Sequence, residues 1–202
     1  MQKTNTLNEQ RFSVKTLTKI GVLSAISVIL MLFEIPLWFA PGFYKLDFSE
    51  AAVLIGAFAL GPIAGISIEL VKILLNFLTD GTTTGGIGEL ANFLIGCAMV
   101  VPAAIIYKKK KTLKSAIIGL IVGIISMAIV GGLLNYFVLL PVYKSIMPLE
   151  AIMGMCQKVN PNIVDFKSLV ILATTPFNLF KGVVVSVITL LLYKKLSKIL
   201  HK

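Results

Sequence analysis

The chain has 202 residues and a formal net charge of +10; 57% of it is apolar and only 14% is charged. Soluble domains carry about 25% charged residues, so a globule of this size has too little charge to cover its outside and too much apolar surface to bury. The excess of basic residues falls in short clusters beside apolar runs, which is a membrane-topology signal and argues against a nucleic-acid-binding stripe. The only histidine is His201, Cys97 and Cys156 have no metal-ligand spacing, and no GxxxxGK[ST] motif occurs. Metal, Cys–His and P-loop ATP chemistry therefore lack their residues, and neither catalytic residues nor a metal or cofactor are expected.

In chain order, a basic segment 1–15 precedes a first predicted span at 16–33. No small-residue cleavage site follows it, so the run reads as a retained helix and not as a signal peptide. An aromatic-rich loop, 34–49, comes next. The apolar stretch from Glu50 to Leu78 would make a helix of about 43 Å at 1.5 Å per residue, too long for a hydrocarbon core of about 30 Å. Gly61-Pro62 interrupts it, a turn dipeptide that predicts two spans, 50–60 and 62–78. A Gly/Thr-rich loop, 79–86, leads to a span at 87–107 that ends at Lys108 to Lys111. A span at 115–140 is stopped by Pro141, a loop covers 141–167, and the last span is 168–193, closed by Lys194 and Lys195.

Charge decides the count. Basic clusters stand at the N-terminus (Lys3, Arg11, Lys15, Lys19), after the 87–107 span (Lys108 to Lys111, Lys114) and at the tail (Lys194, Lys195, Lys198, Lys202). Positive loops belong on the cytoplasmic side, and only six spans put all three clusters there. The expected fold is an all-α integral membrane protein, a single six-transmembrane-helix bundle in the plasma membrane with both termini cytoplasmic. The outer loops then hold Glu34, Asp47, Asp80, Glu150 and Asp165, with Glu50 and Glu89 at their borders. Such a face reads as a ligand mouth or as ordinary exposed loops.

Small residues at fourfold spacing (Gly21 and Ala25; Gly61 and Gly65; Gly88, Asn92 and Gly96; Gly119, Gly123 and Gly131) allow close helix packing in lipid. Polar residues at membrane depth are costly, and three i,i+3 pairs place both members on one helix face. Glu69 and Lys72 have opposite signs and suit local neutralisation. Glu89 and Asn92 open a helix near the outer mouth, where Glu89 also suits the positive helix end. Asn178 and Lys181 follow Pro176, and no carboxylate lies within one turn of Lys181. That ammonium reads as a ligand donor, the competing account being a cross-helix partner such as Glu69 or Glu89. With Asn135 opposite, the set offers donors and an acceptor to a flat ligand edge of carbonyls and an imide N–H. Trp38, Phe39, Phe43, Tyr44, Phe177 and Phe180 could pack a planar ring, although each also suits an interfacial belt or core position.

The segments Lys45-Leu46-Asp47-Phe48-Ser49, Gly61-Pro62-Ile63-Ala64-Gly65, Gly88-Glu89-Leu90-Ala91-Asn92-Phe93 and Pro176-Phe177-Asn178-Leu179-Phe180-Lys181-Gly182 together resemble the riboflavin-specific S components of energy-coupling factor (ECF) transporters, from about residue 12 to the C-terminus. The resemblance implies a vitamin-binding subunit without its own ATPase, associated with a transmembrane coupling protein and two ABC-type ATPases. It implies that riboflavin lies near the outer face with its ring at Asn135, Asn178 and Lys181. It also implies that the small-residue positions Gly21 and Ala25 contact the coupling protein. Asp47, Phe48, Glu89 and Asn92 stand as further substrate-binding candidates. An S component for another vitamin is the nearest alternative. An independent ion-coupled carrier would show paired halves with broken helices, and an intramembrane enzyme would need a catalytic set such as paired Glu with His.

Overall fold

The computed structural model describes residues 13–82, 84–146 and 148–200, with side chains through Tyr193. Lys3, Arg11, His201 and Lys202 lie outside the described residues, as do the side chains of Lys194, Lys195 and Lys198.

Ser13 starts the first helix, α1 (Val14–Met31), by accepting from the Thr16 N–H at 3.2 Å, an N-cap that satisfies one otherwise orphaned donor. Glu34 then turns the chain into a small antiparallel ribbon, β1 (Ile35–Pro36) paired with β2 (Lys45–Leu46). Lys45 pairs with Glu34 across its open end. This ribbon is a departure from a purely helical fold, and it holds the first aromatic loop over one end of the bundle.

The apolar stretch after the ribbon folds as α2 (Ser49–Leu60) and α3 (Pro62–Asp80), joined by Gly61 alone. Gly61 has φ 100°, a conformation glycine takes at no steric cost, and Pro62 occupies the first turn of α3, where a missing N–H is harmless. The two helices run back along each other. Gly65 is packed so closely on Ala57 that a Cβ at Gly65 would lie 2.7 Å from the Ala57 Cβ. At the far end of the same hairpin Lys72 reaches Glu50. α2 is the most enclosed helix, with Ser49 through Phe58 buried.

α4 (Ile87–Lys109) and α5 (Leu113–Leu134) form a second close pair. Gly119 and Gly123 of α5 face the backbone carbonyls of Ala103 and Met99, and a Cβ would sit 2.7 Å and 2.5 Å from those oxygens. Here the small-residue stripe does internal packing, the commonest role of such stripes in membranes.

Residues 141–167 are not an irregular loop. After α5 the helix passes through a widened π-type segment, residues 135–139, into α6 (Leu140–Ile146). α7 (Leu149–Gln157) and α8 (Phe166–Leu169) follow, and a second π-type segment, 170–174, leads into α9 (Thr175–Leu200). Ile152, Met153 and Cys156 bury one face of α7 against Leu140, Ile163 and Leu169. At nine residues α7 is far below spanning length, so a search for spans passes over it. Each π segment precedes a proline, Pro141 or Pro176. A proline strips the hydrogen bond from the carbonyl four residues back, here Phe137 or Leu172, and the wider turn falls where that carbonyl is freed.

Among the described residues, five helical stretches are long and apolar enough to cross a membrane: 14–31, 62–80, 87–109, 113–146 and 166–193; α2 is apolar but only 12 residues long. The main core lies toward the Gly61 end, where Leu54, Phe58, Ile68, Met99, Val100, Tyr107 and Leu120 interlock. Phe58 stacks on Tyr107 with ring centres 4.6 Å apart, and the Tyr107 and Tyr193 hydroxyls are hydrogen-bonded.

Candidate ligand-binding site

At the opposite end the helices part around a cavity of about 310 Å³, at the small end of the range for ligand sites. Its walls come from every quarter of the bundle. The ribbon loop gives Phe43, Tyr44 and Asp47, α2 gives Glu50, α4 gives Glu89, Asn92 and Gly96, the 135–139 segment gives Asn135, and α9 gives Phe177, Asn178 and Lys181.

Asn135 and Thr174 sit in the two π segments, and Tyr44 ties them together. Its hydroxyl donates to Asn135 Oδ1 at 2.7 Å and therefore accepts from Thr174 Oγ1, 2.6 Å away. The Asn135 amide N–H donates in turn to the Gly131 carbonyl at 2.8 Å. Burial raises the Tyr44 pKa above its ordinary value, so the hydroxyl remains a neutral donor. The Tyr44 ring stacks on Phe177 at 5.2 Å, giving the cavity an aromatic wall. Asn178, two residues after Pro176, is buried on that wall, and its amide has no hydrogen-bond partner among the described residues. Gly131 makes room for it, since a Cβ there would strike the Asn178 amide nitrogen.

Lys181 is not the solitary ammonium that its own helix suggests. It donates to Asp47 Oδ2 at 2.6 Å, and both side chains are 8% exposed. The partner is neither Glu69 nor Glu89 but a carboxylate 134 positions away on the ribbon loop, which spacing along α9 cannot reveal. Asp47 also accepts the Ser49 backbone N–H at 2.9 Å and the Ser49 hydroxyl. Burial opposes its ionisation, but the Lys181 and Lys72 charges and these donors outweigh it and hold the carboxyl at about 2. Asp47 thus straps the ribbon loop to α9.

Glu89 accepts from Thr82 Oγ1 at 3.0 Å and from Thr84 Oγ1 at 3.4 Å, which folds the Gly/Thr loop onto the start of α4. The glycines Gly81, Gly85 and Gly86 take positive φ in that loop. Asn92 lies one turn further in and also faces the cavity. Of the residues singled out in the sequence, Asp47, Glu89, Asn92, Asn135, Asn178 and Lys181 surround this one cavity, whereas Phe48 is half-buried beside it and does not line it. Trp38 is 89% exposed, and Phe180 packs edge-on against Phe39 outside the cavity. Tyr44 is the residue that sequence reading undervalued: nothing local marks one aromatic among four as the hydrogen-bonding hub.

Gly21 and Ala25 are far from this cavity. Both lie on the exposed side of α1, and a Cβ at Gly21 would meet nothing within 4 Å.

The family model for the substrate-specific component of ECF transporters matches residues 15–193. A riboflavin transporter RibU of Staphylococcus aureus is 40% identical over 93% of this chain and 93% of its own length. A riboflavin transporter FmnP of Bacillus subtilis is 32% identical over 91% of this chain and 93% of its own. Among solved structures, the S component of a bacterial ECF transporter superposes with a TM-score of 0.71 at 39% identity, covering 93% of this chain and 98% of that one.

Proposed function

The chain belongs to the family of substrate-specific components of ECF transporters, and from that premise we propose that it is the riboflavin-capturing subunit of such a transporter. It is a membrane transport protein and not an enzyme. The observation that carries the reading is the convergence of one unpartnered amide, Asn178, with Asn135 and the Lys181–Asp47 pair beside the Tyr44–Phe177 stack. An isoalloxazine ring presents a flat face to stack and an edge of two carbonyls and an imide N–H. Asn178 can donate to one and accept from the other, and Lys181 can donate to a carbonyl. Glu89 and Asn92 at the other side of the cavity suit the hydroxyls of a ribityl chain.

We read α2 and α3 as two spans, giving six with cytoplasmic termini. The Tyr107–Tyr193 hydrogen bond supports this, because it sets Lys108 and Lys194, the first residues of the middle and C-terminal basic clusters, at the same end of the bundle. The Asp47-lined cavity then opens on the outer face. Partners are a transmembrane coupling protein and two ABC-type ATPases that power uptake, with Gly21 and Ala25 on the exposed face of α1 as the docking stripe for the coupling protein. Close helix approach in lipid needs small side chains of this kind.

The test is the absorbance spectrum of detergent-purified protein after desalting. Flavin bands at near-stoichiometric amounts should survive. A colourless protein that also fails to quench added riboflavin would reassign the cavity to another vitamin.

A further inference from the structure

Below the Lys181–Asp47 pair, at the inner end of the cavity, lies a second buried charged group with a different balance. Glu50, Glu69 and Lys72 are all essentially inaccessible to solvent. Lys72 Nζ lies 2.7 Å from Glu50 Oε1 and 2.7 Å from Glu69 Oε1, so the two carboxyl oxygens can be no further apart than twice that distance. Glu50 Oε2 and Glu69 Oε2 have no partner among the described residues and are sealed from solvent. α4 presses on the pair: a Cβ at Gly96 would collide with Glu69 Oε1 and lie 3.2 Å from Glu50 Oε1.

The surrounding groups do not supply the missing positive charge. Lys181 is engaged by Asp47. Lys72 also reaches Ser49 Oγ, at 3.4 Å. α4 offers Gly96 and the thiol of Cys97. α1 offers the Ser27 hydroxyl, which donates to the Ser49 carbonyl at 2.8 Å, and Lys19 lies about two turns away along that helix. Counting Asp47, Glu50 and Glu69 against Lys72 and Lys181 leaves one negative charge at membrane depth, where an uncompensated charge is expensive. Two buried carboxylates held on one ammonium resolve this by sharing a proton.

We propose that Glu50 and Glu69 hold one proton between them at neutral pH, making the five-group network electrically neutral. The shared proton removes the one net negative charge that these five groups would otherwise carry at the inner end of the cavity. The proton does not depend on the ligand reading above.

Infrared spectroscopy of the unliganded protein tests it without riboflavin, so its failure is distinct from failure of the ligand assignment. At pH 7 a carboxylic-acid carbonyl band should be present and should shift in D2O. It should also shift on 13C-glutamate labelling, which needs no variant; of the described glutamates only Glu50 and Glu69 are buried. Glu69→Gln or Glu50→Gln, which remove the charge but keep the shape, should abolish the band. Absence of a glutamate-sensitive band at pH 7, or its survival in both variants, would overturn the proposal. So would a requirement for sodium or potassium, in place of choline, to keep the wild-type protein folded at pH 7, because a metal cation would then supply the charge.

Discussion

The two ends of the bundle solve opposite problems. Toward the Gly61 end, apolar side chains and glycines close the gaps completely. Gly119 and Gly123 sit on carbonyls of α4, Gly65 sits on Ala57, and Phe58 stacks on Tyr107. At the other end the same helices carry prolines, π segments and buried charges, and they separate around a cavity. Interiors packed to crystal density transmit strain and do not yield, so the closed end can hold the open end's costly groups in place. The difference shows where sequence changes should destroy the protein and where they should only silence it.

The largest effect is expected from filling the closed end. Gly123→Leu places a side chain on the Met99 carbonyl; overpacking costs about 1–3 kcal/mol and more where, as here, the obstruction is backbone that cannot swing aside. The variant should fail to yield folded protein in detergent, as read by size-exclusion chromatography.

Next comes Lys181→Met, which leaves Asp47 buried without its partner; breaking a buried pair costs about 3–5 kcal/mol. It should lower both melting temperature and riboflavin affinity. The double variant Asp47→Asn/Lys181→Met should recover most of the stability but not the affinity. Recovery of both would make the pair purely structural.

Tyr44→Phe is milder. It keeps the ring on Phe177 and removes the hydroxyl that joins Asn135 to Thr174, and an unpaired buried partner costs about 1–3 kcal/mol. Riboflavin affinity should fall roughly tenfold, one decade per 1.4 kcal/mol, with folding retained.

Acid offers a finer probe. The folded-state Asp47 carboxyl is held at about 2, below an unfolded value of about 3.9. Its contribution to stability is therefore complete above the unfolded value and is lost as pH falls through the folded one. The Asp47 contribution should therefore be full and constant between pH 5 and 8 and should be lost below about pH 4, and Asp47→Asn should remove that part of the drop.

The smallest effect on binding is expected at α1. Gly21→Leu and Ala25→Leu point away from both ends of the bundle. They should change riboflavin affinity by no more than about twofold, within the range of exposed substitutions, while stopping transport in cells.

Much of this contrast is legible in the sequence, but unevenly. The break at Gly61-Pro62, the α4–α5 glycine stripe and the Glu69–Lys72 pair follow from local rules about turns, small residues and i,i+3 spacing. Asn135, Asn178 and Lys181 stand out because polar groups in apolar runs are rare. The Asp47–Lys181 strap escapes the same reading, since it joins a loop to a helix 134 positions away. The Tyr44 hub depends on two π segments whose partners meet only once the chain has folded. Glu50 looks like a helix-border residue and proves fully buried, because the ribbon loop and α4 close over it.

A riboflavin fluorescence-quenching titration comparing the wild-type protein with Asn178→Leu tests the division of labour most directly. Asn178 has no hydrogen-bond partner among the described residues, so its loss should leave melting temperature nearly unchanged while affinity falls at least about a hundredfold, the equivalent of roughly 2.8 kcal/mol. Equal affinity in the two proteins, or a loss of affinity matched by a loss of folding, would mean that the outer cavity is not where the vitamin is held.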